Sequence, residues 1–202
     1  DTICRMVREH SERASARDIY EELPPFVLGL TTGHTPLGLY RELVKRHQAG
    51  EISFANVAVY TLDEFYPIRR TEQQSRNFRI HDEFLKHIDI RPENVHIPDG
   101  TISESEVSEY CAAFDKSIRK IDLMIIGFGE QGQIGFNEQG SYAKSHTRLV
   151  ELSHNSRKVQ SDLFFGLENT PKMAITMGIG TIMRADRIVL MIGTNNLPYT
   201  SD

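Results

Sequence analysis

The segment I-D-L-M-I-I-G-F-G-E-Q-G-Q-I-G-F-N-E-Q-G-S, residues 121–141, joins an apolar run to a loop that contains five glycines. The run, residues 121–126, has the length and composition of a buried β-strand. Glycine tolerates positive φ and has no side chain, so the loop at 127–141 allows its backbone to approach a ligand closely. The segment therefore predicts a strand that ends in a binding loop.

Short apolar runs of the same kind recur along the chain and alternate with helical patterns. They are residues 26–31, 57–62, 122–127, 147–152, 174–177 and 187–193. Most are continuously apolar, which is typical of parallel strands that are covered on both faces. This alternation predicts an α/β fold: a three-layer α/β/α sandwich with a mostly parallel central sheet and right-handed crossovers.

Two of the segments between these runs have the spacing of amphipathic helices. In residues 36–48 apolar side chains recur every three or four positions, with Thr35 as the predicted N-cap, Pro36 at the first helical position and Gly50 after the end. A second stripe consists of Val107, Tyr110, Cys111, Phe114 and Ile118. Ligands of such folds bind beyond the carboxyl ends of the strands, so the loops that follow the strands are the candidate sites.

Composition narrows the classes of function. The chain has 202 residues, of which 39% are hydrophobic, and a net charge of −5, so it can form one domain with a sizeable core. Without a long basic run, this charge argues against a nucleic-acid surface and favours a small-molecule ligand. Cys4 and Cys111 are too few for a disulfide framework or a zinc site. No apolar stretch could span a membrane and the amino-terminal residues are too charged for a signal peptide, so we expect a cytoplasmic protein.

The loop T-T-G-H-T-P, residues 31–36, follows the first strand and precedes the first of these helices. Its backbone amides, the hydroxyls of Thr32 and Thr35 and the positive end of the helix dipole would together form an anion site. The alternative is an ordinary capped turn, in which glycine and threonine are common. His34 would add charge to an anion site, or lie exposed to solvent if the turn is an ordinary one.

Acidic residues near two strand ends are candidates for proton transfer. Asp63 and Glu64 directly follow the run V-A-V-Y-T-L, and Glu138 lies in the glycine-rich loop. A carboxylate that is partly desolvated at a strand end can have a raised pKa and act as a base, and Asp63 is the candidate. The alternative is that the pair caps a helix or faces solvent. The histidines lack metal-ligand spacing, so we expect neither a metal nor another cofactor.

Five segments together resemble the glucosamine-6-phosphate deaminase/isomerase family. They are, in that family's order, residues 28–40, 61–65, 87–100, 127–141 and 171–182. The resemblance covers nearly the whole chain and implies one sugar-phosphate isomerase-like domain over residues 1–202 that continues past Asp202. It implies a Rossmann-like fold, shared with 6-phosphogluconolactonases, and the conversion of glucosamine 6-phosphate and water to fructose 6-phosphate and ammonia. The stretch G-F-N-E resembles the deaminases rather than the lactonases.

The resemblance also implies roles for individual residues. The substrate contacts that it implies are the phosphate loop Thr32, Gly33, His34 and Thr35 together with Glu64, Gly129 and Gly132. Asp63 matches the family's base, which moves a proton between C2 and C1 of the opened sugar and must lie close to both carbons. Glu138 matches the acid that supports the ring-opening histidine.

The glycine-rich loop departs from the family's commonest form, G-D-G-H-I. Here Gln131 stands where an acid is usual and Gln133 stands where the histidine is usual, and both are candidate catalytic positions. A glutamine amide can position a hydroxyl but does not titrate near neutrality, so Gln133 cannot relay the proton that opens the sugar ring. The alternative is that another residue, such as His34, supplies this proton.

A second departure concerns the phosphate. The family has a phosphate-binding lysine shortly after the last strand of the match and an arginine on a lid. Residues 193–202 contain no lysine, and Asp162 stands near the expected arginine, with Arg157 or Lys158 as replacements.

Three functions follow from these observations. The first is an amino-sugar-phosphate deaminase/isomerase, the second a sugar-phosphate-binding or sensor domain with weakened catalysis, and the third a hydrolase like 6-phosphogluconolactonase. Each implies a small sugar phosphate as the partner, and neither nucleic acid nor membrane. A homo-oligomer is among the expected states, because the family includes both oligomeric and monomeric members.

Overall fold

The computed structural model describes residues 1–15, 24–129 and 132–192. Its helices are α1 (Thr2–Ser15), α2 (Leu37–Gln48), α3 (Arg76–Glu83), α4 (Val107–Ser117), α5 (His154–Gln160) and α6 (Ile179–Ile182). Its strands are β1 (Phe26–Leu30), β2 (Val57–Thr61), β3 (Asp63–Tyr66), β4 (Val95–His96), β5 (Leu123–Gly127), β6 (Arg148–Glu151), β7 (Met173–Thr176) and β8 (Ile188–Met191).

Five strands form a parallel sheet in the order β4, β2, β1, β5, β8. One face of this central sheet is covered by α1, α2 and α3, which bury side chains such as Val7, Leu43 and Ile80. The other face is covered by α4 and α6, through residues that include Phe114 and Ile182. The predicted three-layer α/β/α sandwich is thus confirmed. The apolar runs of β1, β2 and β5 are nearly all buried, because these inner strands are covered on both faces.

A second, antiparallel sheet of three strands, in the order β3, β7, β6, lies beside the main one. Two of the predicted apolar runs, 147–152 and 174–177, belong to it and not to the parallel sheet. In β6 the sequence R-L-V-E carries charged residues, Arg148 and Glu151, at both ends, and the strand is only partly buried. This is expected of a strand in an antiparallel sheet with one covered face.

The chain passes between the two sheets at Leu62. The Leu62 N–H donates to the Leu30 carbonyl oxygen of the main sheet at 3.1 Å, and the Leu62 carbonyl oxygen accepts from the Met177 N–H at 2.7 Å. The position of Asp63 and Glu64 directly after the run 57–62 predicts a loop. They begin β3 instead, so both acidic side chains are held at the junction of the sheets by a fully buried strand.

The N-cap of α2 differs by one position from the prediction. Pro36 is the N-cap, since its carbonyl oxygen accepts the first helical hydrogen bond from the Tyr40 N–H at 2.9 Å, and the Thr35 side chain makes no cap hydrogen bond. The Thr35 prediction was therefore wrong. Gly50 follows the end of the helix with φ of +73°, as predicted for a terminator. Among the described helices, none has the length and apolar character needed to cross a bilayer.

Candidate active site

A cavity of about 520 Å³ opens at the carboxyl ends of β1 and β5. One wall consists of the loops that follow these strands, a second comes from α3, and a third comes from α5 and the turn after it. The lining residues are Thr31, Thr32, Gly33, His34, Thr35, Asp63, Arg76, Arg79, Gly127, Phe128, Gly129, Gln133, Gly135, Phe136, Ser156, Val159, Gln160, Asp162 and Leu163. The cavity therefore lies where parallel α/β sheets bind ligands.

The loop after β1 forms the floor of one end of the cavity. The buried Tyr40 hydroxyl donates a hydrogen bond to the Thr31 carbonyl oxygen and so fixes the loop to α2. Gly33 has φ of +106°, and no atom lies within 4 Å of where its Cβ would be, so the backbone is open there. The Thr32 hydroxyl oxygen is buried and has no hydrogen-bond partner among the described residues. Such an atom is available to a ligand that can donate or accept a hydrogen bond.

Asp63 lines the cavity and is 4% exposed. Its Oδ1 atom has no hydrogen-bond partner among the described residues, and the nearest charge is Arg76, with Nε at 3.8 Å from Oδ1. Burial raises the pKa of the Asp63 carboxyl, and the Arg76 guanidinium opposes that rise. A desolvated, poorly hydrogen-bonded carboxylate that faces a cavity is suited to accept a proton.

Arg76 is a site residue that the sequence analysis missed. It is 7% exposed, and its guanidinium carbon lies 4.8 Å from the ring centre of Phe65 and 5.6 Å from that of Phe136. The motif S-R-N-F contains a helix N-cap, which places an arginine in the first turn, but nothing in the motif indicates that this turn faces a carboxylate. The contact depends on the packing of α3 against β3.

Glu64, the neighbour of Asp63, does not line this cavity. Its Oε1 accepts from the Phe65 and Arg76 N–H groups, both at 2.9 Å, and its Oε2 accepts from the Ser75 hydroxyl at 2.7 Å and the Asn77 N–H at 2.9 Å. Burial raises the pKa of Glu64, while these hydrogen bonds oppose the rise. The carboxylate thus binds the N-terminus of α3, where backbone N–H groups lack helical partners.

Gln133 and Gly129 pack together at the end of β5. A Cβ on Gly129 would lie 2.4 Å from the Gln133 side-chain carbon Cδ, so the missing side chain makes room for the amide in the cavity wall. The Gly129 N–H donates to the Gln133 carbonyl oxygen at 3.0 Å, and the Gly132 N–H donates to the Gly129 carbonyl oxygen at 2.9 Å. Gly132 shapes this turn with φ of +81° but does not line the cavity, and Gln131 lies outside the described residues.

The stretch G-F-N-E, residues 135–138, forms hydrogen bonds that hold the glycine-rich loop against neighbouring segments of the chain. The buried Asn137 amide donates to the carbonyl oxygens of Ile134 at 2.9 Å and Met177 at 2.8 Å, and its oxygen accepts from Arg148 at 3.0 Å. Glu138 does not line the cavity; its Oε1 accepts from the Ser153 N–H at 3.2 Å, at the N-cap of α5. Glu138 therefore joins the glycine-rich loop to the helix that forms the opposite wall.

Both predicted replacements for the lid arginine, Arg157 and Lys158, lie on α5, and neither lines the cavity. Arg157 donates to the Leu167 carbonyl oxygen at 2.8 Å and to the Thr170 carbonyl oxygen at 3.2 Å, and it does not line the cavity. Asp162 does line it, so this wall presents an acid near the position of the expected arginine. In the described part of the chain, no group of three or more His, Cys, Asp or Glu side chains could hold a metal ion.

Comparison with known proteins shows the family to which the chain belongs. The family model described as glucosamine-6-phosphate isomerases/6-phosphogluconolactonase matches residues 2–196. The chain belongs to this family. The glucosamine-6-phosphate deaminase of Thermoanaerobacter sp. (strain X514) is 40% identical over 179 residues, which are 87% of this chain and 70% of the relative. Glucosamine-6-phosphate deaminase 1 of Bacillus subtilis (strain 168) is 37% identical over 194 residues, 94% of this chain and 79% of the relative.

Solved structures of the glucosamine-6-phosphate isomerase/6-phosphogluconolactonase family have the same fold. A monomeric glucosamine-6-phosphate deaminase aligns with a TM-score of 0.77 and 35% identity over 93% of this chain and 76% of its own. The 6-phosphogluconolactonase of Thermotoga maritima aligns with a TM-score of 0.64 over 96% of this chain and 94% of its own, but with only 16% identity. The second likeness supports the fold alone. The family resemblance that was inferred from five sequence segments is confirmed.

Proposed function

We propose that this chain is a glucosamine-6-phosphate deaminase/isomerase that converts glucosamine 6-phosphate and water to fructose 6-phosphate and ammonia. The observation that carries the proposal is the Asp63 carboxylate, which is buried in the cavity wall and whose Oδ1 atom has no hydrogen-bond partner among the described residues. The relatives of about 40% identity that bear this name support it.

The proposed orientation of the sugar follows from charge. Its phosphate binds at the loop of Thr32, Gly33, His34 and Thr35, which lines the cavity before α2 and in which the Thr32 hydroxyl has no hydrogen-bond partner among the described residues. Arg79 of α3 lines the same cavity; its guanidinium is paired with Glu83 at 3.0 Å and has further N–H donors for a phosphate. With the phosphate at this end, the carbon chain of the opened sugar extends along the cavity toward Asp63.

Asp63 is the proposed base of the isomerisation. The base removes the proton from C2 of the open-chain aminoaldehyde, and the electron pair of that C–H bond forms the C1–C2 double bond. Return of a proton to C1 leaves an imine at C2, which water hydrolyses to the ketone with release of ammonia. One carboxylate serves both carbons because they are adjacent in the substrate.

Gln133 determines whether the protein can catalyse opening of the closed sugar ring. Its amide lines the cavity and can hydrogen-bond a ring oxygen or hydroxyl, but it does not titrate and cannot relay a proton for ring opening. We infer that the chain acts on the open-chain fraction of its substrate. In this proposal Glu138 has a positioning role, because its hydrogen bond with the Ser153 N–H holds the glycine-rich loop against the N-terminus of α5. Loss of one general acid–base group typically costs about 10²–10⁴-fold in rate.

The test is ammonia release from glucosamine 6-phosphate by the native protein and by Gln133→His. We expect a slow native reaction and a faster one in the variant, whereas Gln139→His, an exposed substitution in the same loop, should leave the rate unchanged. A fast native reaction that Gln133→His does not improve would contradict the role given to Gln133.

A second candidate function is a sugar-phosphate-binding domain with weakened catalysis, which the non-titrating Gln133 in the cavity wall favours. Tight binding of glucosamine 6-phosphate in calorimetry, without ammonia release by the native protein or by Gln133→His, would favour this function over the enzyme. Hydrolysis of 6-phosphogluconolactone, measured in parallel, would overturn both in favour of a lactonase.

A further inference from the structure

We propose that Arg76 is a second catalytic residue, whose guanidinium binds the oxygen on C1 of the opened sugar and stabilises the negative charge that this oxygen gains when Asp63 removes the C2 proton. The inference rests on the proposed function of the same cavity. It assigns the electrophilic part of the reaction to a residue that lies outside the five sequence segments that resemble the family.

The position of Arg76 fits this role. The residue occupies the first turn of α3, lines the cavity and is 7% exposed. The rings of Phe65 and Phe136 lie 4.8 and 5.6 Å from its guanidinium carbon and restrict where the group can move. A substrate atom that lies next to the Asp63 carboxylate is therefore also next to this guanidinium.

The donors of Arg76 are incompletely used within the protein. Its Nε has no hydrogen-bond partner among the described residues, because Asp63 Oδ1 lies 3.8 Å away, beyond hydrogen-bond distance. Its Nη2 reaches Gln160 Oε1 only at 3.5 Å. A guanidinium has five N–H donors, and leaving them unfilled in a buried site costs free energy. An acceptor oxygen from a ligand, placed beside Arg76, would satisfy donors of the guanidinium that the described residues leave without a partner.

The chemistry of the step requires such a donor. When the C2–H bond breaks, the proton goes to Asp63, the electron pair forms the C1–C2 double bond and the π electrons of the C1 carbonyl move to its oxygen. This enolate oxygen later takes a proton from the medium. A cation that is already in place stabilises the oxygen as its charge develops. Hydrogen bonds from a charged donor are roughly twice as strong as neutral ones, so Arg76 suits this better than the Gln133 amide.

The competing interpretation is that Arg76 only balances the buried charge of Asp63. Both interpretations predict that Arg76→Gln is less active, so loss of activity alone does not separate them. They differ in what the guanidinium touches, because only a catalytic Arg76 contacts the substituent on C1.

The first measurement is kinetic. We expect Arg76→Gln to lower kcat for ammonia release by about 10²–10³-fold, as removal of one oxyanion donor does. Arg76→Lys should recover only part of this loss, since lysine keeps the charge but not the planar set of donors. Guanidinium ion added to Arg76→Ala should restore activity in proportion to its concentration. The exposed control Arg91→Gln should match the native protein.

The second measurement needs no turnover. It compares binding of two open-chain analogues that differ only at C1: 2-amino-2-deoxyglucitol 6-phosphate, with a neutral hydroxyl, and 2-amino-2-deoxygluconate 6-phosphate, with a carboxylate. We expect the native protein to bind the acid more tightly than the alcohol. In Arg76→Gln the dissociation constant of the alcohol divided by that of the acid should fall about tenfold, which is equivalent to one charged hydrogen bond.

The outcomes separate this inference from the proposed function. If the native protein releases ammonia and Arg76→Gln changes neither kcat nor the binding ratio, the role of Arg76 is wrong and the proposed function stands. If the native protein does not release ammonia but the binding ratio depends on Arg76, the proposed function is wrong and the C1 contact stands. If Arg76→Gln does not fold, the native protein and Arg76→Lys decide. Equal binding of the two analogues by the native protein overturns the inference. A preference of the native protein for the acid that is weaker in Arg76→Lys supports it.

Discussion

Two buried aspartates in this protein have opposite surroundings. Asp115, which is 7% exposed, accepts hydrogen bonds from the Thr147 N–H at 3.2 Å, from the hydroxyl of Thr181 at 2.7 Å and from His146 Nδ1 at 2.8 Å. Asp63 is 4% exposed, and its Oδ1 has no hydrogen-bond partner in the described part of the chain. Asp115 thus links separate segments of the fold, whereas Asp63 faces a cavity.

The difference appears in the ionisation of the two groups. Burial acts to raise the pKa of Asp115, but the hydrogen bonds from Thr147, Thr181 and His146 outweigh it, so that pKa lies below its ordinary value. Burial raises the pKa of Asp63, and Arg76 offsets only part of the rise. Burial alone therefore does not indicate the role of a carboxylate; the number of donors around it does.

The largest expected effect is that of Asp63→Asn on activity. An amide cannot accept the C2 proton, so we expect ammonia release from glucosamine 6-phosphate to fall about 10²–10⁴-fold. Calorimetry should still show sugar-phosphate binding, because the loop at 31–36 is unchanged. Exchange of the C2 hydrogen with deuterium from the solvent, followed by NMR, should be lost in parallel. Exchange at the native rate in the variant would show that another group is the base.

A smaller effect is expected from Asp115→Asn, and it concerns stability. The amide leaves donors of Thr147, Thr181 or His146 without an acceptor, which costs about 1–3 kcal/mol in the free energy of unfolding. The pKa of Asp115 is lowered in the fold, so its contribution is present above the unfolded value of 3.8 and is lost as the pH falls through the folded value. The Tm difference between native and variant should therefore be full at pH 7 and shrink below about pH 3.8.

Asp82→Asn is the matched control, because it removes a carboxylate paired with Lys86 on the exposed surface of α3. We expect a much smaller change in Tm from this variant, since exposed pairs contribute little. An equal loss of Tm in both variants would mean that the donors around Asp115 do not make the difference. Neither variant should change ammonia release.

The inner strands of the central sheet, β1, β2 and β5, could be predicted from the sequence because they are covered on both faces. Continuous apolar runs result from this, and the predicted boundaries of 26–31, 57–62 and 122–127 differ by one residue from β1, β2 and β5. The strand Asp63–Tyr66 could not be predicted in this way. It begins with two acids, which is typical of a loop, and its burial depends on pairing with β7 and on partners from α3.

The candidate site could be predicted where a loop directly follows a strand. The loop at 31–36, Asp63 and the segment with Gly129 and Gln133 all line one cavity, because the carboxyl ends of parallel strands share one edge of the sheet. Arg76 and the wall formed by α5 could not be predicted. They reach the cavity through packing of helices far apart in sequence, which no local pattern records.

The smallest expected effect separates Asp63 from its neighbour. In Glu64→Gln one acceptor oxygen becomes an NH₂ group, so donors among Ser75, Arg76 and Asn77 lose a partner and the N-terminus of α3 loses a negative charge. We expect the free energy of unfolding to fall by about 1–2 kcal/mol. KM for glucosamine 6-phosphate should change little, because the Glu64 carboxylate does not line the cavity. The exposed control Glu104→Gln should alter neither quantity. A raised KM at unchanged Tm would instead make Glu64 a substrate contact, as the sequence predicts, and would place both members of the acidic pair in the site.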